Sequence, residues 1–262
     1  MSPRYEETAI HDAIVHPSGA RMRWVELPGP DPARVYVHGL GATSAPYYAE
    51  VAAHPLLPRR RSLLIDLLGF GISDRPREFA YTLEAHAGAL AAALEKAGVA
   101  DAALIAHSMG GAVAVVLAAR RPELVAHLVL VDANLDPYPP VPVPPGGSGI
   151  ASYGEEEFVE GGWKEVRDRV GPHWWSTMRL ADLRGLHRTA VSLARGTDPT
   201  MRELLVSLRM PRTYLHPEGG APDDADGLRA AGVQVLSVPE SGHNIMLDNP
   251  DTFARTLATL LP

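Results

Sequence analysis

The segment Leu104-Ile-Ala-His-Ser-Met-Gly-Gly111 constrains this chain more than any other, because it puts a serine at an abrupt junction between two kinds of structure. Residues 102–106 have the short, wholly apolar pattern of a strand buried on both faces, and 110–120 the small-residue pattern of a packed helix that stops at Pro122. A chain that passes from strand to helix in so tight a turn needs small residues two before and two after it. Those positions hold Ala106 and Gly110. The turn lifts the Ser108 hydroxyl clear of the sheet, beside a helix N-terminus whose dipole favours negative charge.

The rest of the chain repeats the strand-to-helix alternation. Residues 34–38 and 62–66 read as buried strands, the first running into Gly39-Leu40-Gly41, and 82–97 as an Ala-rich helix with Thr82 as N-cap and Gly98 as its stop. Residues 127–132, 212–216 and 233–238 are further strands, and a helix from about Asp251 carries Phe253, Leu257 and Leu260 at helical spacing. Alternating strands and helices require parallel crossovers, so the expected fold class is α/β, a mostly parallel sheet covered by helices on both faces. Residues 8–15 and 21–27, flanking Pro17-Ser18-Gly19, read as a hairpin at the sheet edge.

The alternation breaks between 135 and 208. Pro-rich 137–145 and Gly-Gly-Ser-Gly at 146–149 lead into helical segments there, which reads as a cap inserted after the sixth strand of one domain spanning 1–262. That length suits a single large core. Trp163, Trp174 and Trp175 lie in the insertion, with Trp24 outside it. Large aromatics either bury such an insertion on the sheet or line a pocket.

Composition excludes several classes of partner and chemistry. A net charge of -7 with scattered Lys and Arg leaves no footprint for nucleic acid. The absence of cysteine removes disulfides, thiolate metal sites and a thiol nucleophile. The histidines show no HExxH or comparable ligand spacing, so neither metal nor cofactor is expected. Met1 to Ile10 is polar and acidic, and no apolar run approaches the length of a membrane span, so a cytoplasmic protein with no membrane partner is expected.

Four segments together resemble the α/β-hydrolase superfamily, over most of the chain: His38-Gly-Leu-Gly41, Asp66-Leu-Leu-Gly-Phe-Gly-Ile-Ser-Asp-Arg-Pro76, Ala106 to Gly110, and Ser241-Gly-His243 followed by Asn249-Pro250. Alanine at 106 departs from the glycine usual there. The resemblance implies that Ser108 is a nucleophile, that His243 is the general base which activates it, and that the backbone N–H groups of Leu40 and Met109 form an oxyanion hole. The loop from Asp66, His38 and His107 are expected to be structural.

The acid of the triad is less plainly written. Its usual position after the strand that follows the cap falls in His216-Pro-Glu-Gly-Gly220, with Glu218 early and Asp223 and Asp224 late. The acid is therefore expected to be Asp132, at the end of the strand after the elbow helix, with Glu218, Asp223 and Asp224 as the alternatives. The expected activity is cleavage of a carboxylic ester, thioester or lactone in a bulky, apolar small molecule. Carbon–carbon bond hydrolysis, a biosynthetic cyclisation, or ligand binding without catalysis are the alternatives on the same fold.

Overall fold

The computed structural model describes residues 10–143 and 146–261. Thr8, at the start of the expected hairpin, and residues 144 and 145 of the Pro-rich run lie outside the described residues. The strands are β1 (Ile10–Ile14), β2 (Arg21–Leu27), β3 (Arg34–Val37), β4 (Ser62–Asp66), β5 (Ala102–His107), β6 (Val125–Val131), β7 (Arg212–Pro217) and β8 (Gln234–Val238). They form one eight-stranded sheet in the order β1-β2-β4-β3-β5-β6-β7-β8. β2 pairs antiparallel with β1 and β4, and every pairing from β4 to β8 is parallel. Only β1 of the hairpin is therefore an edge, with Ile10 and Ile14 exposed, while β2 is covered on both sides by neighbouring strands.

The helices follow from the local sequence. α1 (Ser44–Ala52) links β3 to β4, α2 (Leu83–Lys96) precedes β5, and α3 (Met109–Arg120) follows it. Thr82 caps α2 by accepting a hydrogen bond from the Ala85 N–H, and Gly98, at φ 66°, takes the left-handed conformation just beyond its end. Between β6 and β7 the chain carries α4 (Glu155–Glu157), a π-helical turn (Phe158–Gly162), α5 (Trp163–Met178), α6 (Leu183–Arg195) and α7 (Met201–Ser207). α8 (Ala225–Ala230), α9 (Ile245–Asp248) and α10 (Pro250–Leu260) complete the fold. No helix among the described residues is long and apolar enough to cross a membrane.

Strand alternation divides the core in two. Val35, Val37, Leu63, Ile65, Leu104 and Ala106 face α2, α3 and the insertion. Tyr36, Leu64, Ile105 and Val129 face α1 and α10, where Tyr48, Phe253 and Leu257 are fully buried. The order of the sheet reverses at β3, since β4 lies on one side of it and β5 on the other. A crevice opens at the carboxyl ends of strands at such a switch point. Register then sets the distances: Val37 pairs with Ala106 and His107 with Val131, so the loops leaving β3, β5 and β6 emerge side by side.

Phe253 anchors α10 with no exposed surface. Phe253→Ala is expected to cost about 3–5 kcal/mol, measured as a lower urea midpoint with an unchanged slope.

Candidate active site

Ser108 occupies the turn between β5 and α3 at φ 51° and ψ −122°, a left-handed conformation that costs a side-chain-bearing residue about 1–3 kcal/mol. Its neighbours hold it there. The Ser108 N–H donates to the Val131 carbonyl at 3.0 Å, and the Gly111 N–H to the Ser108 carbonyl at 2.9 Å. A Cβ on Gly110 would lie 2.3 Å from the His38 carbonyl oxygen, and one on Gly111 2.3 Å from the Ala133 Cβ. The two glycines are the condition for α3 to pack against the ends of β3 and β6. Ala106 is wholly buried in the same contact region, so a methyl group is accommodated there.

Asp132 is the first residue after β6 and also has a positive φ, 44°. Its N–H donates to the Leu215 carbonyl at 2.8 Å, which ties this turn to β7. His243 lies in the loop after β8, held by the Ser241 hydroxyl on the Val238 carbonyl (2.8 Å) and by the Gly242 N–H on Asp248 (2.9 Å). The His243 Nδ1–H donates to Asp132 Oδ2 at 2.7 Å. This bond fixes the tautomer with Nε2 bare. Of the four carboxylates weighed from sequence, Asp132 is the one that meets the imidazole. Asp224 instead caps α8 through the Gly227 N–H, and neither Glu218 nor Asp223 bonds to His243.

The Ser108 hydroxyl donates to Asn134 Oδ1 at 3.4 Å, so its hydrogen bond goes to this amide and not to the imidazole. Ser108, Asp132, Asn134 and His243 line one cavity of about 580 Å³, whose apolar wall includes Tyr138, Ile150, Trp174 and Leu193. Asn134 was not singled out from sequence, although its place two residues beyond Asp132 is the signal that could have found it. The Leu40 and Met109 N–H groups donate to no protein acceptor among the described residues. Met109 opens α3, where the first N–H groups of a helix are free. Leu40 lines the cavity beside Ser108, and Met109 follows the serine directly in the chain.

The flanking histidines are buried and neutral. His38 donates Nδ1–H to the Gly39 carbonyl at 2.7 Å and accepts the Leu67 N–H on Nε2 at 3.1 Å, so it staples the glycine loop to the loop after β4. In that second loop the Asp66 carboxylate accepts the Ser44 and Ile72 N–H groups, closing it on α1. Burial holds the His38 imidazolium form down against the opposing pull of Asp66. His107 does more than fill space. Its Nε2–H donates to the His243 carbonyl at 2.9 Å and the two rings lie 4.5 Å apart, so the residue beside the serine positions the histidine loop. Burial first, and the neighbouring His243 second, push its pKa well below the ordinary imidazole value.

The three tryptophans between β6 and β7 divide by role. Trp163 and Trp175 stack on each other at 5.8 Å, while Trp174 lines the cavity. Among the described residues no group of three or more His, Asp or Glu is arranged to hold a metal ion.

His38, His86 and His107 are neutral in the folded state, His86 with a pKa pushed by burial down to about 3. The unfolded chain protonates all three below about pH 6.5, so it gains protons that the folded state refuses. Stability is expected to be fully present above that pH and to fall below it, each ring removing up to about 1.4 kcal/mol per pH unit. Urea midpoints between pH 7.5 and 5.5 measure this.

A family model described as alpha/beta hydrolase fold matches residues 35–237. Lipase LipV of Mycobacterium tuberculosis is 42% identical over 110 residues, covering 41% of this chain and 40% of that protein. The mouse sn-1-specific diacylglycerol lipase ABHD11 is 33% identical over 132 residues, 49% of this chain and 41% of that one. The chain thus matches less than half the length of these curated relatives. A solved structure of a thermophilic esterase from Thermogutta terrifontis superposes with a TM-score of 0.76 at 21% identity, covering 97% of this chain and 98% of that one, which speaks to the fold alone. With the sheet order, the strand-to-helix serine and the matched residues in agreement, the chain belongs to the alpha/beta hydrolase fold family.

Proposed function

We propose that this protein is a serine hydrolase that cleaves a carboxylic ester, thioester or lactone through an acyl-enzyme on Ser108. The observation that carries the reading is the 2.7 Å bond from His243 Nδ1–H to Asp132, in the cavity that Ser108 also lines. Asp132 holds the imidazole with Nε2 bare. In this reading the Ser108 hydroxyl leaves Asn134 and gives its proton to that nitrogen.

The reaction then runs in two balanced steps. His243 Nε2 takes the Ser108 proton as Oγ attacks the carbonyl carbon, and the imidazolium returns it to the departing alcohol, thiol or ring oxygen. Water attacks the acyl-enzyme with the same base, restoring the serine and releasing the acid. The Leu40 and Met109 N–H groups receive the oxyanion, each donor being worth about a hundred- to a thousandfold in rate. A serine nucleophile gives acyl transfer, and an alkyl-enzyme ester of the kind an aspartate would form is outside this chemistry.

The residues between β6 and β7 act in this reading as a cap that writes specificity. A cavity of about 580 Å³ walled by Tyr138, Ile150, Trp174 and Leu193 suits a bulky, apolar acyl group. The lipases among the relatives support an ester as the bond cleaved.

Labelling with a fluorophosphonate probe and turnover of 4-nitrophenyl esters test the scheme. Ser108→Ala is expected to abolish both. Asp132→Asn leaves the geometry but permits the wrong tautomer, and turnover is expected to fall on the order of 10³–10⁴-fold. A wild type that neither labels nor hydrolyses any ester would favour a carbon–carbon bond hydrolase, a cyclase or a ligand-binding protein.

A further inference from the structure

The geometry points to Trp174 as a positioning residue that couples the helical insertion to the oxyanion loop and walls apart two cavities that meet at Ser108. The inference rests on the serine hydrolase reading and extends it to a residue outside the triad and its donors.

The first observation is a hydrogen bond that crosses from the insertion to the sheet. Trp174 Nε1–H donates to the Leu40 carbonyl at 2.8 Å. Leu40 is the residue whose own N–H lacks a protein acceptor, so the indole fixes the far side of the same residue that offers the oxyanion donor. One turn further along α5, Met178 lies over Gly41, where a Cβ would approach its side chain to 2.8 Å. Gly41 has φ 68°, and this close fit leaves the loop one seat beneath the helix.

The chain makes these contacts possible by breaking α5. Gly171 is non-helical at φ 74° and ψ 173°, and Pro172 follows it. A proline inside a helix removes a donor and clashes with the preceding turn, so the helix restarts in a new direction. The restarted segment carries His173, Trp174 and Met178. His173 reaches α1, with its ring 6.2 Å from Tyr47.

The second observation is independent of the first. Besides the cavity of about 580 Å³, one of about 200 Å³ opens beside the serine, lined by Tyr47, His107, His173 and Asn244. Both cavities are lined by Leu40, Ser108, Trp174 and His243. Both walls mix apolar and polar side chains: Asp132, Asn134 and Ser148 join the apolar wall of the larger, and Ala42 and Val170 line the smaller. The two spaces differ in size, the smaller having the volume of only roughly seven waters. That difference in size sorts a substrate, with the bulky acyl group in the larger space and a small leaving group in the smaller. Of the residues common to both, Leu40, Ser108, Gly146, Trp174 and His243, Trp174 is the one side chain supplied from between β6 and β7, which makes it the movable part of the wall.

Two substitutions separate the two roles. Trp174→Phe keeps an aromatic wall and deletes the N–H, so kcat on 4-nitrophenyl butyrate and decanoate is expected to fall about tenfold with KM within about twofold, since a loosened donor acts on the transition state. The Ala42 amide, which donates to the Gly39 carbonyl at 3.1 Å inside the same loop, is expected to exchange its hydrogen faster in this variant with no substrate present. Trp174→Ala removes the wall as well, and hydrolysis of esters of branched, bulky alcohols is expected to rise relative to methyl esters.

Wild-type kcat in a folded Trp174→Phe, with or without faster Ala42 exchange, overturns the coupling. An unchanged alcohol preference in Trp174→Ala overturns the wall. If the wild type hydrolyses nothing and takes no fluorophosphonate, the hydrolase reading itself falls, and the catalytic coupling with it. The wild-type controls distinguish that failure from the other two.

Discussion

The rest of the site depends on one strained turn. Ser108 sits at a positive φ that a residue with a side chain resists, and the strain is sustained because the surrounding backbone leaves it nowhere to relax. Its N–H is held by Val131, and α3 behind it is pressed against the His38 carbonyl and Ala133, where only glycine fits. The same close packing brings the ends of β3, β5 and β6 together. Three loops with otherwise unrelated sequences therefore present a glycine turn, a serine and an aspartate at one crevice.

Around that turn, backbone positions are fixed by groups that are themselves buried. His38 ties the glycine loop to the Asp66 loop, and His107 holds the carbonyl of His243. His38 accepts on Nε2 only as a neutral ring, and burial disfavours the charged form of both. Buried polar groups that are hydrogen-bonded this way give a defined geometry, at the cost of acid sensitivity. The helices between β6 and β7 add their own support through Trp174, which grips the glycine loop from a second side.

Much of this was legible in the sequence because it is written in local pattern. The strand-to-helix junction at Ser108, the cap of α2 at Thr82 and the parallel order follow from apolar runs, small residues and a capping threonine. What the reading left open or missed is set by long-range contact. Asp132 is the carboxylate expected, but its margin over Glu218, Asp223 and Asp224 is narrow, because which one meets His243 turns on where β6 ends relative to a loop 111 residues further on. The same holds for the partner of His107, a residue expected to be structural, and for Asn134, whose amide meets the Ser108 hydroxyl across the crevice. The stacking of Trp163 with Trp175, leaving Trp174 to the cavity, is likewise decided by the break at Gly171 and Pro172. Spacing alone places all three on one insertion and says nothing of which way each faces.

Trapping the covalent intermediate tests the central claim most directly. Acid quenching of the enzyme during turnover of a 4-nitrophenyl ester, followed by peptide mass spectrometry, is predicted to find the acyl group on the Ser108 hydroxyl, in one copy per chain. An acyl group on another residue, or ester turnover with no adduct at any time point and no fluorophosphonate on Ser108, would contradict the account.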